Sequence, residues 1–160
     1  RRLMQIRVKV DTVTPHLKQL RAKLENTEPV MREIGDSLVT MTKQSFTNSS
    51  LRPSDWPGSA TLVRSGTLSR SPRTISHGET HALIGTDRPY AAAHQLGSKP
   101  HVITARNGKA LFWKGAAHPV KSVNHPGLPP RPYFPFFSSG EATPTAIEKV
   151  KEILLRWLNK

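Results

Sequence analysis

The chain contains no cysteine in its 160 residues. Disulfides, thiolate metal sites and thiol nucleophiles are excluded, nothing points to an oxidising compartment, and an intracellular life is the expectation. Acidic residues are scarce, with 11 Asp and Glu against 24 Lys and Arg, and none lies between Arg88 and Gly140. General acid–base chemistry draws on paired carboxylates, but Asp55 and Asp87 stand alone, and Glu25, Glu28 and Glu33 fall on the polar faces of expected helices. Long apolar runs are missing as well. No stretch approaches the roughly 18 residues that span a bilayer, and the opening RRLMQIRVKVD lacks the apolar centre of a signal peptide. Arg1, Arg2 and Leu3 precede Met4 and carry no weight in this reading.

What the chain has in excess is positive charge, +13 in total, which predicts attraction to a polyanion or to an acidic protein surface. The basic residues are spread over HLKQLRAKL, RSPR, SKPHVITARNGK and EKVKEILLRWLNK, not gathered in one tail. The length suits one domain over residues 1–160, which can bury about 70% of the surface of the unfolded chain and needs no covalent staple.

Periodicity places the elements. MQIRVKV alternates Ile6, Val8 and Val10 with polar residues, the pattern of a half-buried strand. Thr14 and Pro15 read as N-cap and first helical residue ahead of Leu17, Leu20 and Leu24. Thr27 and Pro29 open a longer helix with Val30, Ile34, Leu38 and Met41 on one face, ending near Phe46. Residues 47–61, rich in Ser, Pro and Gly, form a long loop that is expected to be mobile until a partner orders it around Trp56. RTISHGETHALIG reads as a hairpin turning near Gly78. In HVITARNGKALFW two strand-forming runs flank Asn107-Gly108, which predicts a tight hairpin there. The proline-rich stretch from Ala116 to Phe137 leaves only VKSV able to pair. Residues 143–159 form an amphipathic helix that starts on Thr143-Pro144, with Ile147, Val150, Leu154, Trp157 and Leu158 inward. The sum is an α+β domain: an antiparallel sheet with two N-terminal helices and one C-terminal helix packed on it, and a long loop.

Site chemistry is thin. His94, His101, His118 and His125 invite a zinc reading, but none forms a helical i, i+4 pair and no carboxylate stands near to orient them. The serines of SGTLSRS and FFSSGE have no nucleophile-elbow pattern, and GSATLVRSG lacks the lysine and hydroxyl of a phosphate loop. A nuclease using His118, Asn124 and His125 lacks its acidic cluster. The expectation is a protein without catalytic residues, metal, cofactor or small-molecule substrate.

Four pieces in a fixed order carry a resemblance: LVRSGTLSRS, IGT at 84–86, YAAAHQLG at 90–97 and HPGLPPRPYF at 125–134. In these the chain resembles the virion morphogenesis or tail completion proteins of tailed bacteriophages, in particular the G-type proteins of Mu-like phages. Leu96 stands where an aromatic is common, and Tyr133 where Phe is usual; both keep apolar bulk. The resemblance implies a structural virion protein made in the bacterial cytoplasm and placed at the neck or tail terminator. There it completes the tail or joins it to the head as a homo-oligomeric ring, a hexamer, without catalysis. Its partners would be its own copies, tail tube and head–tail connector proteins, and DNA passing the channel.

The residues themselves agree with a contact role. In YAAAHQLG the alanines permit close packing, His94 and Gln95 offer hydrogen-bonding groups, and Gly97 opens backbone geometry closed to other residues. RPYFPFF combines Arg with aromatics, the types enriched at interfaces. The interface candidates are Trp56, Tyr90, His94, Gln95, Arg131, Tyr133 and Phe134. For His94 and Gln95 the competing role is to satisfy buried backbone groups within one subunit, and for the aromatics it is to close the core. The rival function is a sequence-nonspecific DNA-binding module, favoured by the charge and by Lys99, Arg106, Lys109 and Lys114, but without a basic recognition helix.

Overall fold

The structure, a computed structural model, describes residues 13–58, 62–107 and 109–160; the strand expected at residues 4–10 lies outside the described residues. Helix α1 runs Val13–Leu24, so Thr14 sits inside its first turn instead of capping it. Leu17 and Leu24 of α1 are exposed. Helix α2, Glu28–Ser45, begins after Thr27 as expected. Thr27 makes no cap bond, however, and its hydroxyl donates instead to the Glu79 carbonyl at 2.5 Å. The predicted stripe of α2 is buried in full, and Val39, Thr42 and Ser45 are buried with it.

After α2 a 3₁₀ turn, Ser49–Leu51, is capped by Asn48, whose side-chain oxygen accepts the Ser50 N–H at 3.1 Å. A one-turn helix α3, Thr67–Arg70, precedes the strands β1, Arg73–His77, and β2, Ala82–Gly85. These pair antiparallel as predicted, with an irregularity between Thr74 and Ser76. Helix α2 lies across this pair at Gly35, where an added Cβ would meet Thr74 Cγ2 at 3.2 Å and Ala82 Cβ at 3.3 Å. The lack of a side chain is what lets helix and strands approach so closely.

Helix α4, Ala91–Leu96, is followed by β3, His101–Thr104, and β4, Ser122–His125. Here the structure corrects the hairpin expected at Asn107-Gly108. Asn107 does take a positive φ of 55°, but β3 pairs with β4, from His101↔His125 to Thr104↔Ser122, and not with the residues just after the turn. Val120 and Val123 offer β-branched side chains at both ends of VKSV, whereas Lys109 and Ala110 offer none. The pairing continues past β3 through Ala105 N–H to Lys121 O at 2.8 Å and an isolated bridge between Leu111 and Val120.

Among the described residues the antiparallel strands thus form two two-stranded sheets in an α+β arrangement with helices before and after them. Helix α5, Pro144–Asn159, is capped by Thr143 Oγ1, which accepts the Ala146 N–H at 3.3 Å. Its inward face is Ala146, Val150, Ile153, Leu154 and Trp157, packed on Val30, Ile34, Leu38 and Met41 of α2. Ile147 and Leu158, expected inward, are exposed. The buried stripe is turned toward Ala146 because a small residue lets α5 sit close to α2. Arg156 also forms an ion pair with Glu33 across the two helices. No helix among the described residues is long and apolar enough to cross a membrane.

Candidate functional site

A second core, separate from the α2–α5 seam, gathers Phe46, Leu68, Ala91 and Tyr133, with Trp56, Leu62, Val63 and Phe134 against it. The sequence around Tyr133 explains why help from elsewhere is needed. Pro132 and Pro135 have no N–H to give, so the segment cannot join a sheet, and its remaining N–H groups need acceptors from another element. Helix α4 supplies them. Three successive alanines favour the helix, and Gly97 ends it with a φ of 77°.

The side-chain oxygen of Gln95 accepts the N–H of Tyr133 at 2.9 Å and of Phe134 at 3.1 Å. The His94 carbonyl accepts the Arg131 N–H at 2.7 Å, and the Tyr133 hydroxyl donates to the Ala91 carbonyl at 3.3 Å. From α2, the Ser45 hydroxyl lies 2.7 Å from Tyr133 O and 2.8 Å from Thr42 O, one proton between two carbonyls. Tyr133 is 0% exposed, with its ring 4.8 Å from that of Phe46 and 5.0 Å from that of Phe134. Burial, with a contribution from Tyr90, pushes its phenol up to about 12.

Trp56 is seated within its own chain. Its indole N–H donates to the Pro132 carbonyl at 2.8 Å, and its ring stands edge-on to Phe46 at 5.9 Å. Arg52 lies 3.7 Å over the indole while its guanidinium donates to Ser45 O at 2.7 Å and Phe46 O at 3.1 Å. One arginine thus caps the end of α2 and clamps the tryptophan. The described part of the loop around Trp56 is therefore ordered by the subunit itself, which corrects the expectation that it waits for a partner. Arg52 gave no signal in the sequence, because its two roles depend on a helix end and a ring that no fixed spacing links.

The structure brings all seven candidates into one neighbourhood. Tyr90 meets His94 edge-on at 6.1 Å, and Arg131 reaches Pro57 O at 3.4 Å. The His94 pKa is lowered, first by burial and then by the nearby Arg131 charge. Yet Tyr133 has no surface to offer a partner, and the Gln95 side-chain oxygen and the Trp56 indole N–H are spent inside the subunit. The outward surface of the site belongs to residues beside them. Leu96, 68% exposed, and Phe137, 40% exposed, flank a groove of about 270 Å³ lined also by Pro53, Pro130, Pro132 and Phe136. The sequence marks Leu96 only as standing where an aromatic is common; its outward turn follows from Gln95, the preceding residue on α4, pointing in.

Of the four candidate histidines, His101 and His125 stack at 5.1 Å across β3 and β4. His125 Nδ1 accepts the Gly127 N–H at 3.1 Å. Among the described residues no three His, Asp or Glu side chains gather as a metal site.

A family model described as the phage virion morphogenesis family matches residues 8–159. No curated protein and no solved structure matches the chain.

Proposed function

The chain belongs to the phage virion morphogenesis family, and from that premise we propose that it is a structural, non-catalytic protein that completes the tail or joins it to the head. Residues 1–160 act as one tail completion domain at the neck or tail terminator, next to tail tube and connector proteins. Copies associate head to tail into a closed ring, a hexamer. DNA passing through such a ring would meet a positive field that reads no sequence.

The observation that carries this reading is the groove at Leu96 and Phe137. The segments that carry the resemblance to tail completion proteins, YAAAHQLG and HPGLPPRPYF, are tied into a platform by the hydrogen bonds of Gln95, His94 and Tyr133. On top of it they leave large apolar side chains in water. Apolar surface held on rigid backbone is what a subunit contact requires. In a head-to-tail ring this groove meets a different surface of the next copy. Arg131 lies between the groove-lining Pro130 and Pro132 and is assigned to contact together with Tyr90 and Phe134, while Trp56, His94, Gln95 and Tyr133 hold the groove in shape.

The test is the double substitution Leu96→Asp with Phe137→Asp. Both positions are exposed, so the subunit keeps its stability to within about 0.5 kcal/mol. Sedimentation is expected to give monomers for the variant and rings for the parent, and the variant should fail to rescue phage lacking the parent protein, leaving separate heads and tails in electron micrographs. Normal rings and joined particles from the double variant would remove the groove from the interface.

A further inference from the structure

The segment from Ser98 to Leu128 makes none of the Gln95, Tyr133 and Trp56 hydrogen bonds just described. Its base is closed by paired hydrogen bonds between Ser98 and Leu128, at 2.9 and 3.0 Å. Beyond that base every residue of β3 is exposed. Phe112 is 68% exposed, Val102 61% and Trp113 47%. Ile103, Leu111, Phe112, Trp113, Val123 and Pro126 line a concavity of about 430 Å³. A lone two-stranded ribbon is at best marginally stable in water, and apolar surface of this extent marks a face that becomes covered.

The charge on the ribbon says what covers it. Lys99, Arg106, Lys109, Lys114 and Lys121 are all exposed, and none forms an ion pair among the described residues. The ribbon contains no Asp or Glu at all. An apolar centre rimmed by cations is complementary to an acidic protein surface that carries apolar side chains. A second copy answers this description less well, since its Glu25, Glu33, Asp87, Glu148 and Glu152 are already paired with Lys or Arg of the same chain. Duplex DNA supplies the negative charge, but phosphate contacts use the cations alone and leave Phe112 and Trp113 in water.

We infer that the β3–β4 ribbon is a docking face for a different virion protein, one that presents an acidic surface with an apolar side chain entering the concavity beside Phe112 and Trp113. The inference rests on the proposed virion role, and it does not depend on ring formation.

The absence of cysteine makes a direct test possible. Phe112→Cys provides one attachment point for a benzophenone maleimide, and Leu96→Cys provides a second, separate one in the groove. Each labelled protein, first shown to keep the parent's unfolding curve, is added to extracts of phage lacking this protein. The mixture is irradiated, and the cross-linked segments are sequenced by mass spectrometry. The expected result is that the label at 112 joins another virion protein within a segment of net negative charge. The cross-link also weakens about tenfold with added salt, or on replacing Lys99, Lys109, Lys114 and Lys121 by Gln. Cross-linking from 112 to a second copy, to DNA, or to no macromolecule would overturn the inference. The label at Leu96 reports on the ring independently. Self-cross-links there with a wrong partner at 112 sink only the docking face, and the reverse sinks only the ring.

Discussion

The side-chain oxygen of Gln95 accepts the backbone N–H of Tyr133 at 2.9 Å, and the same oxygen takes the next N–H, from Phe134, at 3.1 Å. These two residues lie between Pro132 and Pro135, so theirs are the only N–H groups of the four-residue run. One glutamine therefore anchors an entire proline-rich segment to α4, and through it the buried Tyr133. Gln95→Leu keeps the bulk and removes the acceptor, leaving two donors unpaired in a partly buried place. The expected cost is about 2 kcal/mol or more in urea unfolding, with an unchanged denaturant slope. A loss below about 0.5 kcal/mol would mean that water reaches both N–H groups.

Gly127 has a φ of 87°, and a Cβ there would run into the backbone of Ser98 and sit 2.9 Å from the Lys99 carbonyl carbon. Gly115 has a φ of 100° with nothing within 4 Å of an added Cβ. The two glycines separate backbone strain from collision. Gly115→Ala is expected to cost only the strain, about 1 kcal/mol. Gly127→Ala adds the collision and opens the base of the ribbon. Hydrogen exchange at the Ser98 and Leu128 amides measures this: both should lose protection in Gly127→Ala and keep it in Gly115→Ala. Equal behaviour of the two variants would show that Ser98 and Leu128 can separate without cost.

His94 makes stability depend on pH in a calculable direction. Burial and Arg131 lower its pKa from 6.5 in the folded chain. As pH falls below about 6.5, the unfolded chain takes up a proton that the folded chain refuses, so stability is full above 6.5 and declines toward the folded value. Urea unfolding between about pH 7.5 and 5.5, above the carboxylate range, should show that decline. His94→Gln should flatten it. A slope unchanged by the substitution would assign the effect to another histidine.

Trp56→Phe removes the hydrogen bond to the Pro132 carbonyl while keeping a ring for Arg52 and Phe46 to contact. A loss of about 1 kcal/mol is expected, and Trp56→Ala should cost about 3 kcal/mol. Both are read as unfolding free energies of the monomer. An alanine variant as stable as the parent would return Trp56 to the surface and to the role of a contact residue awaiting a partner.

Residues related by a fixed local period were legible without the fold. Val30, Ile34, Leu38 and Met41 share a helix face whatever surrounds them, and Thr143-Pro144 starts α5 by its own backbone preferences. The absence of cysteine and the carboxylate-free stretch from Arg88 to Gly140 likewise bounded the chemistry by composition alone. The ordered set of short motifs pointed to phage morphogenesis before any geometry was known.

What required the tertiary structure were choices between distant partners. β3 could pair across Asn107-Gly108 or with Ser122–His125, and the outcome turned on which segment offered β-branched side chains and on Ser98 meeting Leu128. The α5 stripe settled on Ala146 in place of Ile147 because α2 lies close against it. Gln95 and Trp56 looked like contact residues in the sequence, and only the fold shows that their hydrogen bonds are made to Tyr133, Phe134 and Pro132 within the same chain. Local periods are set by backbone geometry and can be read along the sequence. The partner of a side chain tens of residues away is set by how packed elements meet, and no local pattern encodes that meeting.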